Sequence, residues 1–269
     1  MALNGLFVVL EGGEGVGKTT QWRHLTARLE HAGDEVVALR EPGGTPAGDV
    51  LRAVLLDPEA TLTPETEALL FAASRAQLVG LVIRPALSRG AVVLVDRFLL
   101  STYAYQGAGR GLSLDALRAS NQLATGGLAP DLTLLLSMSL DDALARMHSR
   151  GSPDRMERES LAFHARVAEA FVAATDPAWQ ARYPEIGTVV TVDATGDPAS
   201  VTARCVERLI ERWPDRFGTL ATPAATDGHG HGDGHGDGHG DGHGDGHGHG
   251  HGQHHLHGTD VAVAEVAHG

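Results

Sequence analysis

The chain has 269 residues, of which 42% are hydrophobic, and a formal net charge of −13 at pH 7. Its length suffices for one or two domains with a sizeable hydrophobic core. Seven acidic residues and no lysine or arginine lie from residue 221 onward, so the body of the chain is only mildly acidic. That charge argues against a protein that binds duplex nucleic acid.

Three further features of the chain indicate its compartment. Cys205 is the only cysteine, which excludes an intrachain disulfide and suits a reducing environment. The N-terminus lacks a basic region, and Glu11 interrupts its apolar run, so we expect no signal peptide. No apolar stretch approaches the roughly 20 residues that span a membrane. The chain is therefore predicted to be soluble, cytoplasmic and independent of membranes.

Five short apolar runs recur along the first 215 residues, separated by helical patterns. The runs are LFVVLE (6–11), EVVALR (35–40), AVVLVD (91–96), LTLLLS (132–137) and TVVTVD (188–193). They show little alternation, which is typical of strands buried on both faces of a parallel sheet. Trp22, Leu25 and Leu29 mark one face of the first helix, and Thr63 before Pro64 is predicted to cap a later one. The pattern predicts a three-layer α/β sandwich around a five-stranded parallel sheet.

The stretch EGGEGVGKTT (11–20) lies between the first strand and the first helix and matches the P-loop pattern G-x-x-x-x-G-K-[ST]. Its glycines let backbone N–H groups surround phosphate oxygens, and Thr19 offers a hydroxyl to Mg²⁺. Lys18 is the only lysine beside twenty arginines, and its compact ammonium group can follow the β- and γ-phosphates where a guanidinium is bulkier. The predicted site for the nucleoside triphosphate comprises Gly12, Gly13, Glu14, Gly15, Val16, Gly17, Lys18, Thr19 and Thr20.

A GTPase is one alternative for a P-loop chain. GTPases carry a D-x-x-G switch after the Mg²⁺-binding strand and an N-K-x-D sequence that recognises guanine. Here Asp96 is followed by Arg97-Phe98-Leu99, and an N-K-x-D sequence is impossible without a second lysine. The phosphate acceptor must therefore be sought in other motifs.

Four stretches together resemble the thymidylate (dTMP) kinase family. They are EGGEGVGKTT, REPGGTP (40–46), LLFAASRAQ (69–77) and VVLVDRFLLSTYAYQG (92–107), supported by APDLTLLLS (129–137) and RGSPDRMERES (150–160). The resemblance extends from residue 5 to about 212. It implies a P-loop NTPase fold, a homodimer, and transfer of the ATP γ-phosphate to dTMP with Mg²⁺, giving dTDP and ADP.

The resemblance also assigns residues to the acceptor. Phe71 and Arg75 are spaced i,i+4 on one helix, so they point the same way. Taken alone, a core phenylalanine beside a surface arginine would explain the pair equally well. The resemblance implies that Phe71 stacks on thymine, Arg75 donates to its O4, and Tyr105 excludes a 2′-hydroxyl while Glu14 accepts from the 3′-hydroxyl. The full predicted dTMP set is Glu14, Arg40, Arg52, Phe71, Arg75, Arg97, Thr102, Tyr105 and Gln106.

The chemistry implied by the resemblance needs no general base. A phosphate monoester with a second pKa near about 6 is largely dianionic at neutral pH, so catalysis is alignment and charge stabilisation. Asp96 ends a strand at the carboxyl edge of the sheet. Asp96 and Thr19 are the predicted Mg²⁺ ligands. Arg97 is predicted to bridge the two phosphates. The predicted catalytic residues are Lys18, Asp96, Arg97, Arg150 and Arg155.

Some family members carry an arginine in the P-loop at the position of Gly15 in this chain. Because this chain has glycine there, the positive charge at the transferred phosphate is expected from a lid at about residues 149–158. Arg155 and Arg150 are the favoured lid residues; the alternative is that they are solvated loop arginines. Ser74 and Ser137 stand where the family usually or often has Asp, which leaves the partners of those acids open.

Residues 216–269 are rich in Gly, His and Asp, and their run DGHGHGDGHGDGHGDGHGDGHGHGHG has Gly at alternate positions and no apolar side chain, which predicts a disordered tail. Twelve of the sixteen histidines lie after residue 228. A histidine run on a P-loop chain resembles nickel-insertion GTPases, an alternative that the missing guanine-recognition sequence opposes. We expect only weak binding of Ni²⁺ or Zn²⁺ by the tail, because flexible glycines cannot preorganise a metal site. A kinase for another nucleoside monophosphate or a deoxynucleoside is a further alternative.

Overall fold

The computed structural model describes residues 4–148 and 153–221. Its centre is a five-stranded, wholly parallel sheet with the strand order β2-β3-β1-β4-β5. The strands are β1 (Leu6–Glu11), β2 (Val36–Arg40), β3 (Val92–Asp96), β4 (Leu132–Ser137) and β5 (Val189–Asp193). All five predicted strands are confirmed to within one residue, because each run is apolar on both faces and bounded by polar or turn residues.

Eleven α-helices in the described residues surround the sheet. They are α1 (Lys18–His31), α2 (Pro46–Leu56), α3 (Pro64–Leu78), α4 (Arg84–Ser88), α5 (Leu99–Thr102), α6 (Leu114–Thr125), α7 (Leu140–His148), α8 (Leu161–Ala173), α9 (Pro177–Arg182), α10 (Pro198–Arg212) and α11 (Pro214–Phe217). Two π-helical segments, Val79–Ile83 and Tyr103–Gly109, follow α3 and α5 directly.

Alternate residues of β1 point into two separate cores, which makes the fold a three-layer sandwich as predicted. Phe7 and Val9 pack in a core with α3 and α8, whereas Val8 and Leu10 pack in a core with α1 and α10. This division follows from the period of two along a strand.

Local sequence signals place the helix ends. The Thr63 side chain accepts from the N–H of Thr66 at 3.3 Å, and Pro64 occupies the first position of α3, as predicted. After α1, Gly33 has φ 94° and its N–H donates to Glu30 O at 3.0 Å. A left-handed glycine after a helix satisfies the last carbonyl groups.

The helical run Pro64–Ser88 is long and apolar. It spans 25 residues, contains a window of mean hydropathy 1.4, and is the one helix in the described residues that satisfies length and composition criteria for a membrane span. Its buried side chains, including Leu78 and Ile83, nevertheless pack in the core beside the sheet. The core helix of a folded domain satisfies the same criteria.

The predicted domain boundary at residue 215 lies too early in the chain. Phe217 and Leu220 are buried in the core that α1 and α10 form on the sheet, so the folded part extends at least to Leu220. The sequence pattern placed the end of the folded part too early because only two large apolar residues, Phe217 and Leu220, follow residue 215 there. The predicted tail beyond residue 221, and residues 149–152 of the predicted lid with Arg150, lie outside the described residues.

Candidate active site

The carboxyl ends of β1, β2 and β3 bring the candidate residues to one edge of the sheet. In the parallel register Leu10 lies opposite Asp96, and Arg40 lies opposite the same aspartate from the other side. Ligands of open α/β sheets bind at this edge. The loop from β1 to α1 therefore faces residues that follow β2 and β3.

The P-loop passes close to two neighbouring backbones. Gly12 and Gly15 have φ values of 141° and 76°. A Cβ atom on Gly12 would lie 2.5 Å from Leu136 O, and one on Gly15 would lie 1.9 Å from Ala143 O. Glycine is therefore required at both positions by conformation and by space. The loop ends at the N-terminus of α1, where backbone N–H groups favour anions.

Lys18 is held inside the loop that it follows. Its side chain is 6% exposed, and its Nζ donates to Gly13 O at 2.6 Å. Burial, together with the charge of Arg97, lowers the pKa of Lys18 to about 8. The ammonium group is thus mostly charged at neutral pH and positioned among the loop carbonyls.

Thr19 and Asp96 form the candidate Mg²⁺ site. Thr19 Oγ1 donates to Asp96 Oδ2 at 2.9 Å, and Asp96 Oδ1 is buried with no hydrogen-bond partner among the described residues. Hydroxyl and carboxylate oxygens are the donors that Mg²⁺ prefers, and it is usually held by one or two protein groups with phosphates and water. No cluster of three or more His, Cys, Asp or Glu side chains suited to a metal lies elsewhere in residues 4–148 and 153–221. The residues present therefore fit Mg²⁺ at Thr19 and Asp96.

Glu14, Arg97 and Tyr105 form a compact charged group beside the P-loop. Arg97 donates to Glu14 Oε1 at 2.5 Å, and the Tyr105 hydroxyl donates to the same oxygen at 2.8 Å. Burial would raise the pKa of Glu14, but the charges of Arg97 and Lys18 outweigh it and lower that pKa to about 2. The guanidinium of Arg97 also lies over the Tyr105 ring, 4.9 Å from its centroid. The three side chains are therefore oriented by one another.

Arg97 adopts a left-handed backbone conformation, with φ 72°, that is rare for residues other than glycine. Such a conformation costs of order 1–3 kcal/mol and persists only where the surroundings fix it. Its N–H donates to Leu10 O at 2.9 Å, and the next turn is held by Glu11, whose carboxylate accepts from Phe98 N, Ser101 N and Ser101 Oγ. Sequence reasoning did not identify Glu11, although an acid at the end of a strand was the signal that identified Asp96.

One cavity of about 230 Å³ joins these groups to the candidate acceptor residues. Its walls include predicted residues Glu14, Gly15, Gly17, Lys18, Thr19, Arg40, Arg52, Phe71, Arg75, Asp96, Arg97, Thr102, Tyr105 and Gln106. They also include residues that we did not predict: Glu41, Pro42, Leu56, Phe98, Ser101, Asp154, Met156 and Glu157. Residues predicted from four separate motifs thus line a single space.

The predicted residues that do not line this cavity have other places. Gly12 and Gly13 supply carbonyl acceptors for Arg97 and Lys18. Val16 packs in the core beneath the loop, and Thr20 lies in the first turn of α1. Arg155 is also outside the described lining.

Arg75 is 2% exposed, and each nitrogen of its guanidinium already has a polar partner. Its Nε and one terminal nitrogen contact Glu41 Oε2 at 2.8 and 2.7 Å, and that nitrogen also donates to Phe98 O at 3.2 Å. The other terminal nitrogen donates to Thr102 Oγ1 at 3.0 Å and to Asn121 Oδ1 at 2.8 Å. Direct donation from Arg75 to a base would therefore require one of these bonds to be exchanged, and of Thr102 and Asn121 only Thr102 lines the cavity.

Glu41 was also missed, although it directly follows β2 just as Asp96 ends β3. Burial raises the pKa of Glu41 to about 7, despite the neighbouring charge of Arg75. Its Oε1 is buried with no partner among the described residues. Beside it, Arg52 donates to Pro42 O at 2.9 Å, and burial together with the charge of Arg40 lowers the pKa of Arg52. Two like charges on one wall are favourable mainly when an anion joins them.

Comparison with known proteins shows which family the chain belongs to. A family profile described as thymidylate kinase matches residues 10–183. The chain belongs to the thymidylate kinase family. It is 55% identical to the thymidylate kinase of Deinococcus radiodurans over 168 residues, which cover 62% of this chain and 82% of that protein. It is 52% identical to that of Pseudomonas fluorescens Pf-5 over 200 residues, covering 74% and 92% of the two chains.

A third thymidylate kinase, from a Synechococcus species, is 49% identical over 203 residues, which cover 74% of this chain and 92% of that protein. These relatives support neither a GTPase-type metallochaperone nor a kinase of another class. The resemblance that the sequence motifs carried is therefore confirmed, and so is the P-loop NTPase fold.

One departure from the usual thymidylate kinase sequence is explained by the structure. Ser74, which stands where the family usually has Asp, is fully buried and its Oγ accepts from the N–H of Gly43 at 3.0 Å. The hydroxyl thus satisfies a buried backbone donor in the REPGGTP loop. A neutral acceptor does this without burying a second carboxylate beside Glu41.

The structure does not bring Arg155 to the cavity where we expected a catalytic arginine. Its terminal nitrogen contacts Glu67 Oε2 at 2.7 Å, and its Nε donates to Leu55 O at 2.8 Å. Its other terminal nitrogen is buried with no hydrogen-bond partner among the described residues, so these contacts satisfy only part of the guanidinium group. Arg155 thus lies off the cavity wall and its expected role at the transferred group stays a prediction, while Arg150 lies outside the described residues.

Proposed function

We propose that this chain is an ATP:dTMP phosphotransferase, which transfers the γ-phosphate of ATP to dTMP and yields dTDP and ADP. The observation that carries the proposal is the single cavity that joins the P-loop, Asp96 and the acceptor residues Phe71 and Tyr105. A P-loop alone would support only binding of a nucleoside triphosphate. The shared cavity adds a second binding place at the carboxyl edge of the sheet.

The donor side of the reaction is assigned to the P-loop. Its backbone N–H groups and Lys18 hold the β- and γ-phosphates, and Thr19 and Asp96 would hold Mg²⁺. Bound there, Mg²⁺ neutralises developing negative charge on the phosphates. The chain contributes alignment of the donor, because the Gly13 carbonyl fixes the Lys18 amine at 2.6 Å.

The acceptor side is assigned to residues that follow β2 and β3. Arg40 and Arg52 face the acceptor phosphate, which is already dianionic and needs no proton removed. Phe71 offers a ring for the base, and the Thr102 hydroxyl, which accepts from Arg75, offers its own hydrogen to a base oxygen. Gln106, whose amide donates to Glu67 at 2.8 Å, supports that wall.

Selection of the sugar is assigned to Glu14 and Tyr105. The carboxylate of Glu14 is ionised and has further acceptor capacity for a 3′-hydroxyl. The Tyr105 ring is 5% exposed and packed between Phe163 and Phe171, with ring centroids 6.2 and 6.1 Å away. A ring fixed this way can exclude a 2′-hydroxyl by size. Arg97 and Lys18 supply charge to the transferred group, with Arg150 of the lid as a further candidate.

We also propose a cytoplasmic homodimer. The helical run that begins with α3 and the neighbouring helix α6 each expose an apolar stripe at helical spacing. The stripes are Leu69, Ala73, Ala76 and Gly80 on the first, and Ala116, Ala119 and Leu123 on α6. Leu69 is 61% and Leu123 is 88% exposed, which is costly for large apolar side chains without a partner surface. Sedimentation equilibrium of the wild type beside Leu69→Glu tests this, since a dimer of these faces should dissociate in the variant.

The histidines of the C-terminal residues are proposed to bind Ni²⁺ or Zn²⁺ weakly as an accessory property. This proposal rests on the sequence alone, in which Gly-His repeats offer many imidazoles and little fixed geometry.

The reaction is tested by coupled measurement of ADP release with each common nucleoside monophosphate as the acceptor. We expect a clear preference for dTMP over dUMP, dCMP, dAMP and dGMP. Asp96→Asn serves as the control for background ATP hydrolysis. Equal rates with several acceptors, or ADP release independent of the acceptor, would contradict the proposal.

A further inference from the structure

A buried carboxylate outside the predicted site connects three segments of the chain. Glu67 lies in the first turn of α3 and is 1% exposed. It accepts from Gln106 Nε2 at 2.8 Å, from a terminal nitrogen of Arg110 at 2.9 Å and from Arg155 at 2.7 Å. No spacing in the sequence identified it, because its partners lie 39 to 88 residues away.

The segment that carries Arg155 forms part of the acceptor cavity. Its neighbours Asp154 and Met156, and Glu157 after them, line that cavity although Arg155 itself does not. The backbone N–H of Arg155 donates to Leu56 O at 3.3 Å, and its Nε donates to Leu55 O at 2.8 Å. Arg155 therefore ties this wall to the end of α2 and to α3.

Arg110 ties the same wall from the other side. It contacts Glu159 at 2.6 Å as well as Glu67, and its guanidinium lies over the Phe163 ring, 4.7 Å from the centroid. Residues 153–160 are thus held at two points, and both arginines share Glu67.

The charge of Glu67 is needed for this arrangement. Burial alone would raise the pKa of Glu67, but hydrogen bonds from Arg110, Gln106 and Arg155 outweigh it and lower that pKa. The group is ionised at neutral pH and balances two guanidinium groups, of which Arg155 is only 11% exposed. Removal of one partner of a buried ion pair leaves the other charge uncompensated, which is strongly unfavourable.

We propose that Glu67 is a positioning residue that fixes residues 153–160 as a wall of the acceptor site, and that Arg155 acts through Glu67 instead of touching the transferred phosphate. This inference rests on the proposed function, since it names the site that the wall completes. A wall residue affects the binding of dTMP, whereas an arginine that acts on the transition state affects turnover.

Steady-state kinetics of Glu67→Gln, Arg155→Gln and the double variant test the inference, with Glu65→Gln as the matched control on the exposed side of the same helical turn. We expect each single variant to raise KM for dTMP about tenfold or more, with kcat and KM for ATP changed less than about threefold. The double variant should be no worse than the poorer single variant, because both changes break one contact. Glu65→Gln should match the wild type.

Arg155→Lys keeps the inference testable if the neutral variants fold poorly, because it retains the charge but not the two-point contact. It should show a smaller rise in KM for dTMP with an unchanged melting temperature. A fall of about 10³-fold or more in kcat for Arg155→Gln, with KM unchanged, would instead assign Arg155 to the transition state and overturn the inference. Additive effects in the double variant would also overturn it. A wild type that shows no transfer to dTMP would contradict the proposed function itself.

Discussion

The Tyr105 hydroxyl donates to Glu14 Oε1 at 2.8 Å, although the two residues lie 91 positions apart in the chain. The contact joins the P-loop, which belongs to the donor side, to the helix that borders the acceptor. Arg97 shares the same oxygen, so the three side chains hold one geometry. The proposed donor and acceptor sites are therefore joined by a hydrogen bond within the protein itself.

Two substitutions of Tyr105 should distinguish the contribution of its ring from that of its hydroxyl group. Tyr105→Ala removes the group that crowds a 2′-hydroxyl, and discrimination between dTMP and its ribonucleotide should fall about tenfold or more. Tyr105→Phe keeps the ring and loses only the bond to Glu14, so it should retain discrimination while KM for dTMP rises a few-fold. Competitive kinetics with both acceptors measures this. Unchanged discrimination in Tyr105→Ala would show that another residue excludes the ribonucleotide.

Glu14 should make stability depend on pH in the acid range. Its pKa is about 2 in the folded protein against 4.5 for the ordinary group, so its contribution is complete above about pH 5 and is lost as the pH falls towards 2. The difference in free energy of unfolding between wild type and Glu14→Gln should be up to about 3 kcal/mol at pH 6 and should shrink at pH 3. Urea unfolding at both pH values measures it. A difference that is constant with pH would contradict the assigned pKa.

Lys18→Arg should lose most phosphoryl transfer although it keeps the charge. The Lys18 ammonium lies 2.6 Å from Gly13 O, and a planar, forked guanidinium cannot reproduce the contacts of this compact charge. We expect kcat to fall by about 10²-fold or more, the scale of losing one preorganised donor. Arg23→Lys, in the same helix and outside the cavity, is the control. Wild-type turnover in Lys18→Arg would refute the geometric reason for the single lysine.

Ser74→Ala should reveal what the serine contributes in place of the family's usual acid. It leaves the buried N–H of Gly43 without an acceptor, which should cost about 1–3 kcal/mol of stability and raise KM for dTMP through the adjoining loop. Ser88→Ala, which removes an exposed bond to Arg84 O in the same helical run, should cost less than about 0.5 kcal/mol. Thermal unfolding of both variants distinguishes them. Equal effects would indicate that the Gly43 contact is unimportant.

Two truncations should define the end of the folded part. A chain that ends at Ala221 should keep its melting temperature and activity, whereas one that ends at Asp215 loses the buried Phe217 and Leu220 and should be destabilised by about 3–6 kcal/mol. The longer form should lose only weak affinity for Ni²⁺ or Zn²⁺, measured by calorimetry. In the full chain that affinity should weaken between pH 7.5 and 5.5, because imidazole protonates near about pH 6.5. Equal metal uptake by the full and truncated chains would exclude the histidines as ligands.

The sequence was sufficient for the parts of this molecule that local pattern determines. Runs such as AVVLVD predict their strands because burial on both faces leaves no other arrangement, and the P-loop glycines carry their own conformational requirement. Asp96 was singled out because it ends a strand at the carboxyl edge of the sheet, where ligands bind, and lies beside Arg97 in the motif. These features need no knowledge of distant residues.

Features that depend on pairing across the chain escaped prediction. Glu67 resembles any acid in the first turn of a helix, and only the folded chain shows that Arg155 reaches it across 88 positions. The same contact gives Arg155 a structural partner that the sequence did not indicate. Arg75 lines the cavity, but its five polar contacts could not be inferred from the spacing to Phe71.

The tight fit of Gly15 against Ala143 limits how enzymes of this type can diverge. A relative with a P-loop arginine at this position must place α7 differently, because here even a methyl group would meet the Ala143 carbonyl at 1.9 Å. A lineage that exchanged a lid arginine for a P-loop arginine could not start with the arginine, since the first step would displace a helix from the site. The helix or the loop would have to move first. The two ways of supplying charge should therefore separate between lineages and rarely interconvert within one.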